Sequence, residues 1–117
     1  MQKTAILYCE ADAAVLSTQT RLFNQAGYAV VPIAGRAAME SAVKAGGFDI
    51  VILGHTLARD DRHHLPYMVK KSNPAARVVV LHASARHPAV DVTLDSRRGE
   101  RALLEAIAQA AAQPVAT

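Results

Sequence analysis

The chain has 117 residues, enough for one domain with one modest core. Thirteen basic and ten acidic side chains leave a formal charge of +3, too small an excess to mark a nucleic-acid binder, and 4% aromatics with no Trp leave little for base stacking. A hydrophobic fraction of 51% argues against disorder, and the single cysteine, Cys9, excludes an internal disulfide and a cysteine zinc cluster.

The chain opens with MQKTAILYCEAD. Its apolar stretch is too short for a signal peptide or a membrane helix, so a cytoplasmic protein without membrane contact is expected. AILYC (5–9) reads as a first strand, in which Cys9 is a buried, inert thiol. Val15, Leu16, Leu22, Phe23 and Ala26 then recur at helical spacing, with Asp12 as N-cap and Gly27 as stop. YAVVPI (28–33) is the second strand. Ala38, Met39, Ala42 and Val43 mark the second helix, ended by Gly46 and Gly47.

DIVIL (49–53) is the third strand and runs directly into Gly54 and His55. Leu65, Met68 and Val69 form a third helical stripe, with ARDDRHH (58–64) as a mixed-charge, solvated helix entry, Pro66 tolerable only in a first turn and Asn73-Pro74 as the end. VVVL (78–81) is the fourth strand, and VDVTL (90–94) is a weaker fifth at the sheet edge. Only twelve residues, 82 to 93, separate Leu81 from Leu94, and they include Pro88. A full crossover with its helix needs about 10–12 residues at least, so a reduced or irregular fourth helix is expected here. Leu103, Leu104, Ile107 and Ala111 mark the last helix, closed by Pro114. The domain is thus placed at 1–113, with 114–117 as a short tail.

Short, nearly unbroken apolar runs suit strands covered on both faces, as in a parallel sheet. Strand and helix alternate throughout. The expected fold is a three-layer α/β sandwich, flavodoxin-like, with a five-stranded parallel sheet in order 2-1-3-4-5. Ligands of such sheets bind at the carboxyl ends of the first and third strands.

Nearly the whole chain resembles the response-regulator receiver domain, the CheY-like module of two-component signalling. ILYCEAD resembles its first strand and acidic turn, LFNQAGYAV its first helix end and second strand, GFDIVIL and RVVVLHA its third and fourth strands, and ERALLEAI the start of its last helix. The resemblance implies phosphoryl transfer from a histidine kinase to an aspartate at the tip of the third strand. The reaction takes two acids to hold Mg²⁺, an acceptor aspartate, a Ser or Thr after the fourth strand and a Lys after the fifth. The first acid falls on Glu10, which is chemically acceptable, and the second on Ala11, which has no ligand atom. The acceptor falls on Gly54, the Ser/Thr on His82, and the Lys near Ser96. Without a carboxylate at position 54 no acyl phosphate forms there. The resemblance therefore implies a degenerate phosphorylation pocket, no catalysis and no Mg²⁺ cofactor. What remains is a protein-interaction module whose partner is another signalling protein or a second copy of itself.

Three other patterns compete for a role. Glu10, His55 and His82 fall at one sheet edge and suggest a zinc or iron site, but no HxxxH or HExxH spacing occurs, and isolated loop histidines are the commoner explanation. Arg97, Arg98 and Arg101 cluster at the start of the last helix, where cations are mildly unfavourable. They are a candidate partner surface or, more simply, a solvated face paired with Glu100 and Glu105. A flavodoxin-like domain that binds a small anion, nucleotide or metal near Glu10, Gly54 and His82 is the alternative function. No G-x-G-x-x-G, Walker lysine or nucleophile elbow is present to support it. The Ala/Gln-rich end is also compatible with a linker to a following output domain.

Overall fold

The computed structural model describes residues 4–81, 92–93 and 99–112. The elements alternate as expected: β1 (Ala5–Glu10), α1 (Ala13–Gln25), β2 (Ala29–Ala34), α2 (Arg36–Ala45), β3 (Ile50–Leu53), α3 (Arg59–Ser72), β4 (Arg77–Val80), β5 (Val92–Thr93) and α4 (Glu100–Ala112). All pairings are parallel and the order is β2-β1-β3-β4-β5. Four of these are full strands. Of the run VDVTL, Val92 and Thr93 pair with Val79 and Val80, and Val90, Asp91 and Leu94 lie outside the described residues. The fold is flavodoxin-like.

Side chains of β1, β3 and β4 alternate between two cores, because successive strand residues point to opposite faces. Ile6, Tyr8, Ile50, Ile52 and Val79 pack with Leu16 and Phe23 of α1 and Leu103 and Ile107 of α4. Leu7, Cys9, Val51, Leu53, Val78 and Val80 pack with Met39 and Val43 of α2 and Leu65 and Val69 of α3. β3 lies in the centre and all four of its residues are buried. β2 departs from the expectation of cover on both faces. It is an edge strand with four of its six residues exposed, Val31 among them at 56%. Pro32 fits there, since an edge strand tolerates the loss of one N–H.

α1 starts where its sequence says it should. Asp12 adopts an extended backbone, and its Oδ1 accepts from the N–H of Ala14 (2.8 Å) and Val15 (3.1 Å). α3 starts earlier than its apolar stripe suggests. It begins at Arg59, which places Pro66 well inside the helix rather than in its first turn. Asp60 and Asp61 in the first turn and Lys70 and Lys71 in the last complement the helix dipole. Burial of Leu65, Pro66 and Val69 offsets the missing backbone donor at Pro66.

α4 ends at Ala112, and the boundary placed at residue 113 and the tail at 114–117 lie outside the described residues. So do residues 82–91, where the reduced fourth helix was expected. Among the described residues, no helix is long and apolar enough to cross a membrane.

Candidate functional site

The carboxyl ends of β1 and β3 lie side by side. Their register pairs Tyr8 with Ile52 and Cys9 with Leu53, so Glu10 comes next to Gly54. Gly54 follows β3 directly, and its N–H donates to the Cys9 carbonyl at 2.9 Å, which extends the ladder by one residue. The chain then turns: the Leu57 N–H reaches the Gly54 carbonyl at 3.3 Å. Arg62 on the first turns of α3 holds this loop from outside, donating to the carbonyls of Leu57 (2.6 Å) and His55 (3.2 Å).

Glu10 is the buried charged side chain of the described residues, with no exposed surface. A buried carboxylate demands partners, and Glu10 has three donors. The Tyr8 hydroxyl, two residues back on the same face of β1, donates to Oε2. The Thr56 N–H (3.0 Å) and the Thr56 hydroxyl (2.6 Å) both donate to Oε1. Thr56 Oγ1 in turn accepts from the N–H of Ala11 (2.9 Å) and of Asp12 (3.1 Å). The Tyr8 ring packs edge-on against Phe23, with centroids 5.2 Å apart, which anchors the phenol from the core side.

The Glu10 carboxyl group takes the space above Gly54. A Cβ at position 54 would stand 1.7 Å from Glu10 Cδ and 2.0 Å or less from both oxygens. Gly54 is thus required by close approach. Any side chain there, an aspartate included, would have to displace a carboxylate held by three hydrogen bonds.

Burial raises the pKa values of both neighbours on β1. The Cys9 thiol is pushed up to about 12, mainly by burial and secondarily by the adjacent Glu10 carboxylate. Burial, then the hydrogen bond to Glu10, push the Tyr8 phenol far above its ordinary range. Both groups are protonated at neutral pH and neither is a nucleophile.

The residues expected in the pocket meet different fates. Glu10 and Gly54 are brought together, with Ala11 beside them as an exposed residue that offers only its N–H. His55 is exposed. His82, Ser96, Arg97 and Arg98 lie outside the described residues. Arg101 is exposed on α4 and pairs with Glu105 four residues on, at 3.5 Å. Among the described residues, no group of three His, Cys, Asp or Glu side chains is placed to hold a metal.

Mg²⁺, which the receiver reaction takes, does not fit the described residues at this site. It takes oxygen ligands in a near-octahedral shell that keeps several waters. Glu10 is enclosed with both oxygens engaged, Ala11 and Gly54 carry no side-chain ligand, and Asp12 Oδ1 is committed to two helix N–H groups.

Reading the residues in sequence missed Tyr8 and Thr56. A signal was available in part: Tyr8 and Glu10 alternate on one strand face, so a polar residue there had to find a partner inside the sheet. That Thr56 supplies it depends on the turn at Gly54, which no local pattern marks.

The sequence matches no protein-family model and no curated protein. Solved structures do match. A CheY-like response-regulator receiver domain protein from Methanospirillum hungatei JF-1 superposes with a TM-score of 0.80 at 18% identity, over 92% of this chain and 93% of that one. The chain has the receiver fold. Other receiver domains superpose with TM-scores of 0.78 to 0.80. Higher identity, 25%, accompanies two proteins linked to pilus assembly. A candidate pilus assembly-related protein from Burkholderia pseudomallei K96243 has a TM-score of 0.71 over 97% of this chain and 94% of that one. A candidate pilus assembly protein from Burkholderia thailandensis E264 has a TM-score of 0.73 over 94% and 99%. Against this receiver fold, Gly54 occupies the tip of the third strand, where the resemblance places the acceptor.

Proposed function

We propose that this domain is a receiver fold that works as a protein-interaction module without being phosphorylated. One observation carries the proposal: position 54 is a glycine, and the space above it is filled by the carboxyl group of Glu10. Acyl-phosphate formation needs a carboxylate oxygen open to in-line attack on phosphorus and a cation to neutralise the transferred charge. Glu10 is enclosed, and the groups around it offer no metal shell. On this reading the domain has no phosphotransfer activity and no Mg²⁺ cofactor, and it serves a signalling or assembly partner, or a second copy of itself. The two pilus-assembly neighbours support a setting in which the receiver fold is part of an assembled machine.

Incubation with acetyl phosphate and Mg²⁺ followed by intact-mass measurement tests the reading. No mass gain is expected. A stoichiometric gain of one phosphoryl group would overturn it.

A further inference from the structure

The contact between Glu10 and Thr56 does more than exclude an acceptor. Glu10 belongs to β1 and Thr56 to the loop after β3, so their hydrogen bonds join two separate chain segments. The circuit closes on itself. Glu10 Oε1 accepts from the Thr56 N–H and hydroxyl, and Thr56 Oγ1 accepts from the N–H groups of Ala11 and Asp12, the two residues that follow Glu10. Tyr8 closes the other oxygen. Each side-chain oxygen in this circuit has a partner, and Glu10 has no exposed surface through which water could substitute. The same two segments would have to part for any ion to enter the pocket above Gly54.

We propose that Glu10 is a permanent internal plug which, with Thr56, latches the segments 10–12 and 54–57 in one arrangement. The inference rests on the reading of this pocket as non-phosphorylated and deepens it: the pocket is closed constitutively and does not answer to small anions or divalent cations. Glu10 comes from the neighbouring strand, so the plug and the glycine require each other. Gly54 admits the carboxylate, and the carboxylate forbids a Cβ at 54.

That mutual requirement is measurable as non-additivity. Gly54→Ala is expected to lower Tm by about 10 °C, since the displaced carboxylate loses buried hydrogen bonds. In the double variant Gly54→Ala/Glu10→Ala the new methyl group has room, and the expected Tm is at or above that of Gly54→Ala alone. A Gly54→Ala protein as stable as wild type, or a double-variant loss equal to the sum of the losses in Gly54→Ala and in Glu10→Ala alone, would overturn the plug. A second variant guards against misfolding. Thr56→Val keeps the shape but removes the hydroxyl, and the amides of Ala11 and Asp12 are expected to exchange with solvent about tenfold faster. Unchanged exchange at both amides would overturn the latch. In the wild-type protein, Mg²⁺ with beryllium fluoride is expected to leave the amide resonances of residues 54–57 unmoved, and a saturable shift there would overturn the closed pocket. These outcomes are separable from the phosphorylation test: additive losses remove the plug even if no phosphoryl group is gained.

Discussion

At position 54 a missing side chain and a neighbouring carboxylate are one feature. Placing an aspartate there alone is expected not to create a phosphoacceptor, because its Cβ falls onto Glu10. Gly54→Asp is expected to gain no mass from acetyl phosphate and Mg²⁺, and a phosphorylated Gly54→Asp protein would show that Glu10 yields the space readily. Cys9, one residue earlier, sits in the opposite core with its Sγ 3.7 Å from the Gly35 carbonyl. Its burial and raised pKa predict that a thiol reagent such as DTNB leaves the native protein unmodified at pH 8 and labels one thiol after denaturation. Rapid labelling of the folded protein would contradict this packing.

At the scale of elements, the centre and the edge of the sheet differ in what they contribute. Ile52 on β3 is fully buried in the core under α1 and α4, whereas Val31 on β2 is more than half exposed. Ile52→Ala is expected to cost about 2–5 kcal/mol through lost transfer energy and a residual cavity. Val31→Ala is expected to stay within about 0.5 kcal/mol. Urea denaturation checks both, and equal losses would mean that β2 is covered more fully than its exposure indicates. The start of α1 is a separate local term. Asp12→Ala removes the acceptor for two N–H groups and is expected to cost about 1 kcal/mol in the same measurement.

Over the whole molecule, two protonated groups in the sheet tie stability to alkaline pH. The folded state holds the Cys9 proton to about 12, against an ordinary value of 9.0, and holds the Tyr8 proton well above its ordinary 10.0. The unfolded chain releases both protons sooner. Their contribution is complete below pH 9 and is lost as the pH rises towards the folded values. The urea midpoint is therefore expected to fall steadily from pH 9 to pH 11, and Cys9→Ala should shrink the part of that slope due to the thiol. A midpoint independent of pH over this range would show that neither group is held in the buried, protonated state.

Alternation of apolar runs and helical stripes was enough, by itself, to indicate the layered α/β architecture and the position of Gly54 directly after β3, whereas the strand order was an expectation drawn from the flavodoxin-like topology. The layering and the place of Gly54 follow from periodicity and from the need of parallel strands for crossovers, which are local or topological. The charged stretch 58–64 was legible as the entry of α3, but the place of Pro66 well inside the helix was not, because burial rather than backbone propensity holds it there. Nor was the exposure of β2, since an apolar run reads alike in the centre of a sheet and at its edge. What only the tertiary structure decided is the content of the pocket. Glu10 and Thr56 are 46 residues apart, and their meeting depends on strand register and one turn. A carboxylate that reads in sequence as half of a metal site is, once folded, the group that closes it.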